Sequence, residues 1–483
     1  MGVALGFALQ PEERFLALTA ELLDLIDYAE VAPETLWRSD ASGGIVPNGF
    51  HERFAMLKRE SGLAFVAHGV GFSVGSARPD AARRARWLER IAADHEVFEF
   101  EWYTDHLGVT ELAGRNVTLP LAVPLVPAAA RAVETSLRAL QSAVPDTGFE
   151  TSAFYFHLGD PLAEPTFVRA ALAAPRTHLL LDLHNVWTNA RNLGFDAGEY
   201  LERLPLERVI EIHLSGGTES DPAWLPSRAI LRLDSHDHAV PEEVWQLAER
   251  FLPRCTNLRG LTLERMEGTV GPGDVAPLRA ELLRARALLE RANSTLASSS
   301  ARSFESAVAR PFDTDAASLA HSEPLPSTDA ELRAFADSPL AHAFDSHAAS
   351  LAFSNDPLAQ SLDLDALARL ELLLADAFCA PDLSAAFAAL RSDREFAPVF
   401  AHASEDGFRI AALLIVRLRF ERLLNGSARA ADVWNSDPRS FTALFRRYHP
   451  SIPATGWSPR DEAALFERWL AERGPGSPEA LPR

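Results

Sequence analysis

The chain has 483 residues, 47% hydrophobic and 23% charged. That is the balance of a soluble globular protein with room for two or three domains, and it excludes collagen-like, coiled-coil and wholly disordered chains. A net charge of −21, from 46 basic and 67 acidic residues, opposes binding to nucleic acid, whose affinity rests on basic groups.

No apolar run is long enough to cross a bilayer. The start, Met1 to Phe7, lacks the basic opening and long apolar centre of a signal peptide and reads as a first strand. Cys255 and Cys379 stand far apart with no CxxC spacing, so no disulfide framework is expected and the cytoplasm is the expected compartment. Any metal must then be held by His and carboxylates.

In chain order, β-rich runs fall at Val3–Leu9, Leu25–Val31, Leu63–His68, Val97–Trp102, Gly148–Phe154, His178–His184, Val209–Leu214 and Leu258–Glu264. Amphipathic stretches such as Pro79–Ala93, Pro127–Gln141, Glu199–Leu204 and Glu242–Phe251 lie between them. This alternation predicts an α/β fold, a TIM-type (β/α)8 barrel over residues 1–291. An open doubly wound sheet competes, but no GxGxxG follows any strand.

Residues 292–327, beginning with a Ser-rich run at 294–300, read as a flexible linker. Residues 328–483 read as a smaller all-α domain, opened by a capping-box signal at Thr328 and Glu331. Apolar faces are expected from Leu364, Leu367 and Leu374, and from Phe387 and Leu390. Phe408–Leu424 is long enough to be the central helix, although Arg417, Arg419, Glu421 and Arg422 interrupt it. Pro475–Arg483 reads as a frayed tail.

Chemistry concentrates at the strand ends. His68, His106, Glu150, Asp182, His213, Asp234, His236 and Glu264 each end or follow a predicted strand, and a barrel gathers such positions on its C-terminal rim. Taken singly, each is most simply a capping or core hydrogen-bonding residue. Eight on one rim, with Asp234 and His236 as an Asp-x-His pair, point to a metal site. Oxygen and nitrogen donors without thiolate suit Fe, Mn or Zn. Their number exceeds the three or four ligands of one catalytic ion, which implies two or three ions.

The order His68-Gly69-Val70-Gly71-Phe72-Ser73, Asp105-His106-Leu107, Phe149-Glu150-Thr151, Leu181-Asp182-Leu183-His184-Asn185-Val186, Glu211-Ile212-His213-Leu214-Ser215-Gly216 and Asp234-Ser235-His236 resembles the multinuclear non-heme iron-dependent oxidative enzymes over residues 1–290. That resemblance implies a xylose-isomerase-like barrel with two or three iron ions and O2 as co-substrate. The implied reaction is oxidative modification of a Cys, Asp or Asn residue in a ribosomally synthesised precursor peptide. The same layout is similar to the trinuclear endonuclease IV group, and this implies how the ligands divide. One ion takes His68, His106 and Glu150; a second shares Glu150 and adds Asp182, His213 and Glu264; a third takes Asn185, Asp234 and His236. Asn185 replaces the endonuclease's His, which agrees with the iron family. Glu150, Asp182 and His213 are the residues expected to carry catalysis.

The family usually has Glu-Asn and Glu-His-Leu where this chain has Glu150-Thr151 and Asp105-His106-Leu107, a difference that bears on tuning more than on ligation. His184, His157 and His238 rank as weaker candidates. Glu30, Glu34 and Glu211 are read as orienting ligands or pairing with arginines. The resemblance also implies a leader-recognition partner, or a fused equivalent in residues 328–483, with packing or dimerisation as the plainer role. A zinc- or manganese-dependent hydrolase or endonuclease-IV-like phosphodiesterase remains the alternative on the same ligands.

Overall fold

The computed structural model describes residues 2–40, 43–308, 356–454 and 456–473, with side chains described only to residue 293 in the first long stretch. Eight parallel strands close a barrel in sequence order: β1 (Ala4–Ala8), β2 (Tyr28–Val31), β3 (Ala64–Gly69), β4 (Tyr103–His106), β5 (Thr147–Glu150), β6 (Thr177–Asp182), β7 (Val209–Leu214) and β8 (Gly260–Leu263). Runs such as His-Leu-Leu-Leu in β6 and Val-Ile-Glu-Ile in β7 suit strands covered on both faces. Outward-facing Leu179, Leu181, Ile212 and Leu214 join the core shared with the surrounding helices.

The lower barrel is filled by Tyr28, Val66, Trp102 and Ile210. A Cβ on Gly260 would lie 2.3 Å from the Tyr28 hydroxyl, so only glycine leaves room for that ring. The register between β6 and β7 shifts at Leu179/Leu180. This bulge makes Ile210 the extra residue and turns Glu211 and His213 together into the interior.

One expected strand is displaced. Val97–Trp102 is not a strand, because the helix Ala81–Phe98 runs to its end and buries Trp87, Ile91, Asp94 and Phe98 on one face. Glu99 closes that helix with φ of 52° and the strand begins at Tyr103. Two antiparallel hairpins, Trp37–Ser39 with Ile45–Pro47 and Val109–Leu112 with Arg115–Leu121, project between barrel elements.

The last barrel helix spans Val275–Val308 and enters the segment expected to be linker. The rest of that segment, the Thr328–Glu331 signal and the tail after Arg473 lie outside the described residues. The described C-terminal region is helical throughout, and its core is partly the barrel's own. Phe378, Phe387 and Phe408 pack with Phe156 of the barrel, with the ring centroids of Phe378, Phe387 and Phe156 lying 4.6, 5.3 and 5.9 Å from that of Phe408. Leu367, Leu370 and Leu374 form the buried face of their helix, while Leu364 is 43% exposed. A second apolar cluster, including Leu423, Phe441, Phe445, Phe466 and Trp469, forms the far end. Arg419 does not break the central helix Glu405–Gly426. It is buried, donating to Glu462 Oε1 at 2.8 Å and to the carbonyls of His449 and Ile452.

Candidate metal centre

The barrel delivers His68 from β3, His106 from β4, Glu150 from β5, Asp182 from β6 and His213 from β7 to one rim, with Glu264 just after β8. The side chains meet in two groups that share Glu150. In the first, His68 Nε2 and His106 Nε2 stand 3.4 and 2.9 Å from Glu150 Oε2. In the second, donor atoms of Glu150, Asp182, His213 and Glu264 all lie within 4.8 Å of one another. His213 Nδ1 is 3.1 Å from Glu264 Oε2 and 3.8 Å from Glu150 Oε1.

Beside them, Asp234 and His236 occupy the loop between β7 and the helix Glu242–Phe251, with Asp234 Oδ1 2.7 Å from His236 Nε2. Glu264 Oε2 lies 3.8 Å from the same ring nitrogen. Asn185 reaches Glu150, its Nδ2 donating to Oε1 at 3.3 Å. The nine residues named from the sequence therefore converge on one end of the barrel. His184, ranked low there, is fully buried, with Nδ1 3.3 Å from Asp234 Oδ1.

Close approach here does not mean hydrogen bonding. Glu150 Oε2, Asp182 Oδ2, His213 Nδ1, Asn185 Oδ1, Asp234 Oδ1, His236 Nε2 and Glu264 Oε2 are all buried without a hydrogen-bond partner. Several of them face one another at ion-pair distances without hydrogen-bond geometry, an arrangement that is costly to bury with nothing between the donors. Two atoms bound to one ion at about 2.1 Å sit roughly 3–3.5 Å apart, each aimed at the ion and not at the other. That is the pattern observed, so the residues present fit a cluster of divalent cations. Electrostatics agree: burial, then the charges of Glu150, Asp234 and Glu264, push Asp182 well above the carboxylate range. A cation would relieve that stress.

Neighbouring groups leave the converging atoms free. His106 Nδ1 donates to the Gly69 carbonyl at 3.1 Å, so Nε2 is the ring nitrogen that faces Glu150. His68 Nδ1 pairs with the Thr104 hydroxyl at 2.9 Å. Asp182 Oδ1 accepts from Asn185 N as the N-cap of the helix Leu183–Leu193, and Oδ2 stays unpaired. Thr151 accepts from Asp182 N. Asp105 accepts from Phe72 N, and burial with Glu34 nearby raises it to about 7.

Glu30 orients His213: its Oε2 is 2.9 Å from Nε2. Replacing it as Glu30→Gln is expected to lower metal affinity about 10–100-fold, measured by chelator competition, while leaving the fold intact. Among the described residues Glu211 has no arginine partner; it accepts from Tyr28, Thr262 and Trp102 at 2.8, 2.6 and 2.6 Å. With its oxygens so occupied, the group Glu30, Glu211 and His213 serves as support beneath the rim. Glu34 accepts from Val70 N and Gly71 N, shaping the loop after His68. His157 is buried apart from these clusters and held down to about 4 by that burial, and His238 pairs with Asp237.

A UPF0276 protein of Caulobacter vibrioides is 30% identical over 246 residues, covering 50% of this chain and 80% of its own. One of Bordetella parapertussis is 35% identical over 257 residues, covering 52% and 84%. Among solved structures, a xylose isomerase domain protein from Planctomyces limnophilus matches at TM-score 0.39 and 14% identity, over 62% of this chain and 100% of that one. Endonuclease IV from Thermus thermophilus matches at 0.37 and 20%, over 60% and 99%; the barrel assignment rests on the strand pairing itself. The family model for the RiPP precursor modification enzymes MbnB/TglH/ChrH matches residues 3–290, and the chain belongs to that family.

Proposed function

We propose that this enzyme holds two or three iron ions and uses O2 to oxidise a Cys, Asp or Asn residue of a ribosomal precursor peptide. The observation that carries this reading is the sharing of Glu150 between two ligand groups, with Oε2 facing the His68–His106 pair and Oε1 facing His213. A shared carboxylate suits ions that act as a pair. His68, His106 and Glu150 would hold one ion, and Glu150, Asp182, His213 and Glu264 a second. Asn185, Asp234 and His236 would hold a third. When bound, such ions supply redox electrons and a Lewis-acid anchor for a substrate thiolate or carboxylate.

The chain's own residues set the conditions for that chemistry. Contacts with the Gly69 carbonyl and Glu30 orient His106 and His213 so that Nε2 and Nδ1 respectively face the site. Buried walls keep bulk water from the carboxylates, which strengthens their hold on cations. Peptide entry from the rim would bring the reacting side chain to Glu150, Asp182 and His213. The direct test is the mass of a candidate precursor peptide after incubation with the enzyme. A mass change in air that vanishes under strict anaerobiosis is expected; turnover without O2 would instead assign a zinc or manganese hydrolase.

A further inference from the structure

Asp234 and His236 stand on the long loop between β7 and the helix Glu242–Phe251, away from the strands that carry His68, His106, Glu150, Asp182 and His213. His236 also has φ of 49°, a conformation that non-glycine residues keep only where surrounding contacts over-determine it. Part of that determination comes from the barrel. Asn192 exchanges two hydrogen bonds with the backbone of Arg232 at 3.0 and 2.8 Å, and Leu233 N donates to Thr218 O at 2.8 Å.

Met266 N also donates to the His236 carbonyl at 3.0 Å, and further contacts come from the C-terminal helices. Ile410 of the central helix forms one buried cluster with Tyr155, Leu225 and Leu233, and Leu414 packs against it. The Tyr155 hydroxyl accepts from Asp234 N at 3.2 Å, directly at a converging residue. On its other side Tyr155 bears on the same helix, where a Cβ at Gly407 would sit 1.8 Å from the Tyr155 carbonyl oxygen. Asp406, one residue earlier, accepts from Ser227 Oγ at 2.8 Å. One helix thus touches both the residue that holds Asp234 and the segment that leads into it.

We infer that the C-terminal helical region is a clamp on the Asp234–His236 loop, acting through the positioning residues Tyr155 and Ile410, and that it governs retention of the cation those residues hold. Only the second half of this inference rests on the metal reading above. On this account the region is part of the metal centre's support, whatever else it recruits.

The test uses the full chain with Tyr155→Phe, which removes the acceptor but keeps the ring, and Ile410→Ala, which loosens the cluster without touching any ligand. Leu444→Ala, in the far apolar cluster, controls for general loosening of the helices. Amide hydrogen exchange over residues 229–237 is expected to accelerate about fivefold in Tyr155→Phe and more than roughly tenfold in Ile410→Ala. Both variants should lose one ion per chain on gel filtration in chelator while keeping the rest; Leu444→Ala should keep all. Unchanged exchange in both variants would overturn the clamp. Faster exchange with full metal retention, or equal ion loss in Leu444→Ala, would overturn its control of the cation. If the wild-type chain binds no metal, the reading in the preceding subsection fails, and the exchange result decides the clamp alone.

Discussion

Glu150→Ala is expected to leave a folded chain that has lost most of its metal and all measurable peptide modification. Glu150 is 1% exposed and its two oxygens face different partners. Removing it takes a donor from two sites together and leaves His68 and His106 with no carboxylate opposite them. Loss of a residue that merely orients a ligand costs about 10–100-fold in affinity or activity, so loss of a shared ligand should exceed roughly 100-fold. Glu150→Gln separates charge from shape, since it keeps the volume but weakens the donor, and it should fall nearly as far. Metal per chain and the peptide's mass are the readouts, with circular dichroism to establish the fold. Full metal content and activity in both variants would remove the basis for a shared carboxylate.

Phe408→Ala carries the largest expected effect on stability. The ring is fully buried and packs among Phe378, Phe387 and Phe156, so its loss should cost about 3–5 kcal/mol. The informative part is where that cost falls. Residues up to Ile415 belong to the same apolar core as the barrel helices, so the barrel and the adjoining helices should unfold together at lower denaturant. Denaturation followed by circular dichroism would then show a shifted main transition. A separate early transition confined to the helices, with the barrel unchanged, would mean that the two regions are energetically independent.

What the sequence makes legible follows from what each signal depends on. The barrel strands are readable because an apolar run such as Leu179–Leu181 must be buried on both faces. The converging residues were readable because a barrel collects strand ends at one rim. Val97–Trp102 misled because the apolar pair Val97–Phe98 ends a helix, and a short run does not distinguish a helix terminus from a strand. Partners distant in sequence were not readable. Glu211 is satisfied from β2, the segment leading into β4, and β8, partners that no local pattern around it distinguishes from an arginine. Arg419 read as an interruption because its partner, Glu462, lies on a helix formed much later in the chain. Tyr155 carried no signal at all, since its role depends on a helix from the C-terminal region landing on its carbonyl. The helical region was recognised as helical, but its shared core with the barrel is a matter of packing that no local pattern encodes.

The central claim is that the rim binds iron as a cluster, and the most direct measurement is metal content of the full chain purified without oxygen from iron-supplemented cells. The account predicts two to three iron ions per chain, with little zinc or manganese. Stoichiometric zinc with little iron would contradict it and favour hydrolysis on the same ligands. A chain without metal would mean that the buried, unpaired donors around Glu150 are satisfied in some other way.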